Sequence, residues 1–95
     1  MAYYMGIHTL PGFSKEMLLQ ATPEIERIAM TGDSSTRFIR ALSSFCEGRV
    51  VCEFESPSKD AVAGVYHSLG LPYDAIIEVD AVCDTGTGSI ITNDV

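Results

Sequence analysis

His8 is the side chain best suited to chemistry here, because a neutral imidazole ligates nickel, copper or zinc and also moves protons near neutral pH. Glu53, Glu55 and Glu78 fall in phase with it once the chain is read as strands, which makes His8 and Glu53 the candidate metal ligands. Tyr4, Arg40 and Glu78 are the candidate ligand-binding residues. Arg40 is the one basic residue expected centrally on the sheet surface, where it holds a carboxylate ligand or pairs with Glu53 or Glu78. No residue is assigned as catalytic. His67 adjoins a helix's apolar stripe and reads as solvated.

Cys46, Cys52 and Cys83 are odd in number and lack a Cys-x-x-Cys pair, so neither a disulfide framework nor a sulfur-rich zinc site is encoded. A reducing cytoplasm fits that usage. Cys52 reads as a small buried hydrophobe, out of phase with His8, and neither Cys46 nor Cys83 reads as catalytic. Gly86-Thr87-Gly88 resembles a phosphate loop by composition alone, with no lysine or following helix to support it.

These residues need elements to position them. Tyr3 to Thr9 alternates as a strand and stops at Pro11-Gly12. Ser14 caps a helix whose Leu18, Ala21, Ile25 and Ile28 recur at helical spacing up to Thr31-Gly32. Pro23 must kink that helix or restart it with Thr22 as cap. Thr36 to Phe45 and Arg49 to Glu55 read as a hairpin closed by Cys46-Glu47-Gly48. Ser56-Pro57 opens a second helix with Val62, Val65, Tyr66 and Leu69 as its buried stripe, ended by Gly70 and Pro72. Ala75 to Val82 is the last strand. The order is that of the ferredoxin-like α+β class: βαββαβ, a four-stranded antiparallel sheet with two helices on one face.

Strand parity then sorts the side chains. Met5 and Ile7, Val50, Cys52 and Phe54, and Ile77, Val79 and Ala81 are expected beneath the helices. Tyr4, Gly6 and His8, Arg49, Val51, Glu53 and Glu55, and Ile76, Glu78, Asp80 and Val82 are expected on the open face. An open face that mixes Tyr4, Val51, Ile76 and Val82 with carboxylates suits a homodimer, in which two sheets pack face to face.

Ninety-five residues, 46% of them hydrophobic and 20% charged, make one compact domain and exclude a second. Residues 1–82 form the ferredoxin-like domain, and 83–95 are a C-terminal extension, either a tail or an added strand. Six basic against thirteen acidic side chains leave a formal net charge of −7, which argues against nucleic acid and anionic membranes as partners. No stretch approaches the ~20 apolar residues of a membrane span.

Several segments resemble a known family. Met5-Gly6-Ile7-His8 before Pro11-Gly12, Val51-Cys52 leading to Glu55-Ser56-Pro57, and Gly70-Leu71-Pro72 with Asp74, Ile76, Glu78 and Val79 are similar to small bacterial nickel-binding-protein-like domains of unknown function. The resemblance spans roughly residues 3 to 82. It implies a dimeric α+β barrel, nickel or another divalent transition metal as cofactor, and His8 as the ligand that carries over; Cys52 also matches the pattern. Against that pattern, Gly6 stands where an acidic residue is common, and Thr22 and Tyr66 stand where helix histidines are common. Ala41 and Leu42 replace strand aromatics.

Two functions follow as expectations. The first is a non-catalytic homodimeric binding protein for a transition metal, nickel in the family's case, or for a small ligand, through the open sheet face. The second is a cofactor-free enzyme of the monooxygenase or isomerase kind, with His8 as base and Tyr4 or Arg40 polarising the substrate. An enclosed apolar pocket beside His8 and a histidine pKa moved by burial favour the second, and a flat, filled interface counts against it.

Overall fold

The computed structural model describes residues 2–31, 36–84 and 89–92. Its elements are β1 (Ala2–Thr9), α1 (Lys15–Thr31), β2 (Arg37–Ser44), β3 (Arg49–Ser56), α2 (Lys59–Leu69), β4 (Ala75–Val79), β5 (Ala81–Asp84) and β6 (Ser89–Thr92). The first four strands form one antiparallel sheet in the order β2-β3-β1-β4, and β5 and β6 form a separate antiparallel pair. This is the ferredoxin-like βαββαβ fold with a two-stranded addition. The expected last strand is interrupted at Asp80, so Val82 belongs to β5.

Local chemistry explains the boundaries. The Ser14 hydroxyl accepts from the Met17 N–H 3.2 Å away and starts α1. Pro23 neither ends nor restarts that helix, which runs unbroken to Thr31. Proline removes the hydrogen bond to the carbonyl four residues back, and both Pro23 and Leu19 lie on the solvent side, where that carbonyl is open to water. The Thr22 hydroxyl, expected as a cap, instead donates to the Leu18 carbonyl at 2.8 Å.

The cap of α2 is Ser58, whose side chain accepts from the Ala61 N–H at 3.1 Å. Ser56 stays in β3, fully buried, with its hydroxyl 2.9 Å from that of Thr36. Gly70 closes α2 with φ +64°, a conformation natural to glycine, and its N–H and that of Leu71 bond back to His67 and Tyr66 carbonyls. The core lies between the sheet and the helices, built from Tyr4, Ile25, Ala29, Val50, Cys52, Phe54, Val62, Val65, Tyr66 and Ile76. Among the described residues no helix is long and apolar enough to cross a membrane.

The register corrects the assignment of faces. Tyr4 pairs with Phe54, Gly6 with Cys52 and His8 with Val50, and residues directly opposite share a face. The third strand is therefore as expected, whereas the first is inverted: Tyr4, Gly6 and His8 lie beneath the helices, and Met5 and Ile7 lie on the open face. The fourth strand is inverted too, since Tyr4 pairs with Glu78 and Gly6 with the buried Ile76, leaving Ile77 outside. The physical reason is that both sheet faces are apolar, so hydrophobicity alone does not say which one meets the helices.

Candidate functional site

His8 is fully buried. Its Nδ1 donates to the Pro72 carbonyl at 2.7 Å, which fixes the proton on that nitrogen and leaves Nε2 as an acceptor without a hydrogen-bond partner. The ring stands edge-on to Tyr66 of α2, with centroids 4.7 Å apart. Burial lowers the His8 pKa below the ordinary imidazole value, partly offset by the Pro72 carbonyl and the Asp74 carboxylate.

Tyr66 is the lid of this cluster. A Cβ at position 6 would lie 2.0 Å from its hydroxyl oxygen and under 3 Å from two of its ring carbons, so Tyr66 occupies the space that only Gly6 leaves open. Gly6 and Tyr66 thus meet in the fold. The Tyr66 hydroxyl lies against the Cys52 thiol but makes no well-aligned hydrogen bond. Burial pushes the Cys52 thiol up to about 11 and raises the Tyr66 hydroxyl as well, so both remain protonated at neutral pH. Cys52 is in phase with His8, contrary to expectation, and the two are diagonal neighbours on the covered face. The sequence signal was available in Gly6: a glycine inside a strand marks a close approach by another group.

The proposed ligands are divided between the faces. His8, Tyr4 and Glu78 are on the helix side, where the Tyr4 hydroxyl, raised by burial and then by Glu78, lies near that exposed carboxylate. Arg40 and Glu53 are on the open side. The metal pair His8 and Glu53 is therefore separated by the sheet, and the ligand-binding set loses Arg40 to the other face. Glu55, also expected beside His8, lies on the open face paired with Arg37. His67 and Cys46 are exposed. The Gly86-Thr87-Gly88 stretch and the side chains of Val82 and Cys83 lie outside the residues described.

The open face carries a second polar cluster. Glu53 Oε1 accepts from Arg40 Nε at 2.6 Å and from the Tyr3 hydroxyl at 2.8 Å. Burial, reinforced by Glu53, pushes the Tyr3 hydroxyl up to about 12. Apolar side chains surround the cluster: register places Met5, Ile7, Leu42, Val51, Ile77 and Val79 on the same face. Ile77 and Leu42 are 43% and 49% exposed. Tyr3 is the residue that sequence reasoning missed here: it is in phase with Met5 and Ile7, which were expected beneath the helices.

Among the described residues no three His, Cys, Asp or Glu side chains gather as a metal-binding set. The buried cluster supplies His8 Nε2 and a protonated thiol, Gly6 supplies no donor, and Tyr66 fills the space. The donor set of one chain therefore does not fit a resident nickel ion. A cavity of about 300 Å³ lies elsewhere, between α1 and α2, lined by Ile28, Ala29, Ala61, Gly64, Val65 and Ser68 among others.

Fold and clusters together define a small ferredoxin-like α+β protein. The family described as nickel responsive protein SCO4226-like matches residues 4–79, and the chain belongs to that family. A solved relative, SCO4226 from Streptomyces coelicolor A3(2), is 29% identical, with a TM-score of 0.75 over 82% of this chain and 95% of that one. A search of curated proteins found no match.

Proposed function

We propose that this chain is a non-catalytic homodimeric binding protein that pairs through its open sheet face and holds its cargo there. The observation that carries the proposal is the character of that face: Met5, Ile7, Leu42, Val51, Ile77 and Val79 on the side away from the helices, around the Tyr3–Glu53–Arg40 cluster. Covering it with the same face of a second copy buries the apolar groups and encloses the polar ones. Glu53 is already only 9% exposed and held by two donors, so it keeps its place when water is excluded.

Two cargo classes suit the proposal. The family description supports a divalent transition metal such as nickel, yet the donors of one chain do not assemble for it. The residues of a single chain favour a small ligand lodged against the apolar surface and anchored at Arg40 and Glu53. The enzyme reading needs an accessible base, and Tyr66 and the Pro72 carbonyl seal His8 instead. A cytoplasmic setting accords with the unpaired Cys46 and Cys52.

Light scattering on the purified chain, followed by equilibrium dialysis against nickel, copper, cobalt and zinc with elemental analysis, tests both parts. A dimer is expected, and a monomer overturns the proposal. Stoichiometric metal that Glu53→Gln abolishes and His8→Gln does not assigns the metal to the open face. Metal lost only with His8→Gln overturns that placement.

A further inference from the structure

We infer that the β5–β6 hairpin is an intersubunit arm that adds itself to the β2 edge of a second copy; the inference rests on the dimer proposed above. The family match ends at residue 79, before β5 begins at Ala81, so the hairpin is an addition to the shared domain. Among the described residues its strands pair with each other, Ala81 with Thr92 through Asp84 with Ser89, in a ladder separate from the four-stranded sheet. Two isolated four-residue strands are at best marginally stable in water, and such a hairpin gains stability by docking on another edge.

The chain's own edges are out of reach. Asp80 alone separates β4 from β5, and a tight hairpin turn takes about two residues, so β5 does not fold back along β4. The chain's own β2 is the opposite edge, three strand spacings or about 14 Å from β4. A second copy offers both edges, and charge selects between them. From Asp80 to Val95 the sequence carries Asp80, Asp84 and Asp94 and no Lys or Arg. β2 carries Arg37 and Arg40, each balanced by a β3 carboxylate, Glu55 and Glu53, whereas β4 carries Glu78 and no basic residue. The acidic arm is therefore repelled by β4 and not by β2. With two open faces stacked about a twofold axis parallel to the strands, the arm leaving β4 of one copy meets the β2 edge of the other, and the symmetry makes the exchange reciprocal.

The test compares the full chain with a chain ending at Asp80, by sedimentation across a dilution series and by amide exchange of Arg37–Ser44. The truncated chain keeps every core residue, all of which lie between Tyr4 and Ile76. Ile91→Pro, which removes a ladder N–H from β6 in the intact chain, is the second variant. Either change is expected to raise the dimer dissociation constant at least about tenfold and to speed β2 exchange. Equal dimerisation and unchanged β2 exchange overturn the arm and leave the sheet-face dimer standing. A full chain that stays monomeric overturns both. Protection of β2 that depends on the hairpin but not on concentration overturns the arm by placing it on its own chain.

Discussion

Gly6 and His8 set the chemistry of the covered face, and each carries a prediction. Gly6→Ala drives a Cβ into the Tyr66 ring, which is fully buried between Phe54, Tyr73 and His8 and has nowhere to go. Overpacking of this kind costs about 1–3 kcal/mol, read as a lower urea midpoint with an unchanged slope. A loss below about 0.5 kcal/mol, the range of an ordinary surface substitution, contradicts the packing described. His8 predicts a pH dependence. Its folded pKa is lowered, so above the ordinary imidazole range both folded and unfolded forms are neutral and nothing is lost. As the pH falls through that range, the unfolded chain binds a proton that the folded chain resists, and stability drops. Urea unfolding from about pH 7 to about pH 5 should show this slope in the parent and a shallower one in His8→Gln. His67 and the carboxylates, common to both chains, cancel, and equal slopes in the two chains rule the effect out.

At the scale of elements, Ser58 rather than Ser56 decides where α2 begins. Ser58→Ala removes the acceptor for the Ala61 N–H and should cost about 1 kcal/mol, whereas Ser58→Asp keeps an acceptor and complements the helix dipole. Thermal unfolding of the two variants checks this, and equal losses contradict the cap. The case shows what was legible in the sequence. Element order, the stripes of both helices and the glycine stop at Gly70 are written in local patterns that need no partner. The cap itself is not, because Ser56, the expected cap, is claimed by β3 and by the buried Thr36 hydroxyl, contacts distant in sequence. Strand parity failed for the same reason. β3 declares its covered side through Val50, Cys52 and Phe54, whereas β1 offers Met5 and Ile7 to one face and Tyr4 and His8 to the other. The tie is broken by Tyr66 reaching down onto Gly6 and by Pro72 meeting His8. The arrangement of the candidate site was thus not legible: His8 and Glu53, brought together by strand parity, lie on opposite faces of the sheet.

For the whole molecule, the inverted parity strengthens the case for assembly. With Met5, Ile7 and Ile77 outside in place of Gly6, His8 and Ile76, the open face is more apolar than the sequence suggested, and a stable pairing buries about 800 Å² on each partner. Ile77 tests the consequence because it is 43% exposed and no member of the core, so changing it spares the fold of one chain. Ile77→Glu places a carboxylate opposite Met5, on the edge strand β4 of the proposed interface, where burial without a partner costs about 3 kcal/mol, or about 100-fold in the dimer dissociation constant. The chain's net charge of −7 adds repulsion between copies that each new acid increases. Because association stabilises only the folded state, the parent's melting temperature should rise with protein concentration, while that of Ile77→Glu should stay constant and meet the parent's value at high dilution. A parent whose melting temperature ignores concentration, or an Ile77→Glu chain that dimerises as tightly as the parent, removes the sheet face as the assembly surface.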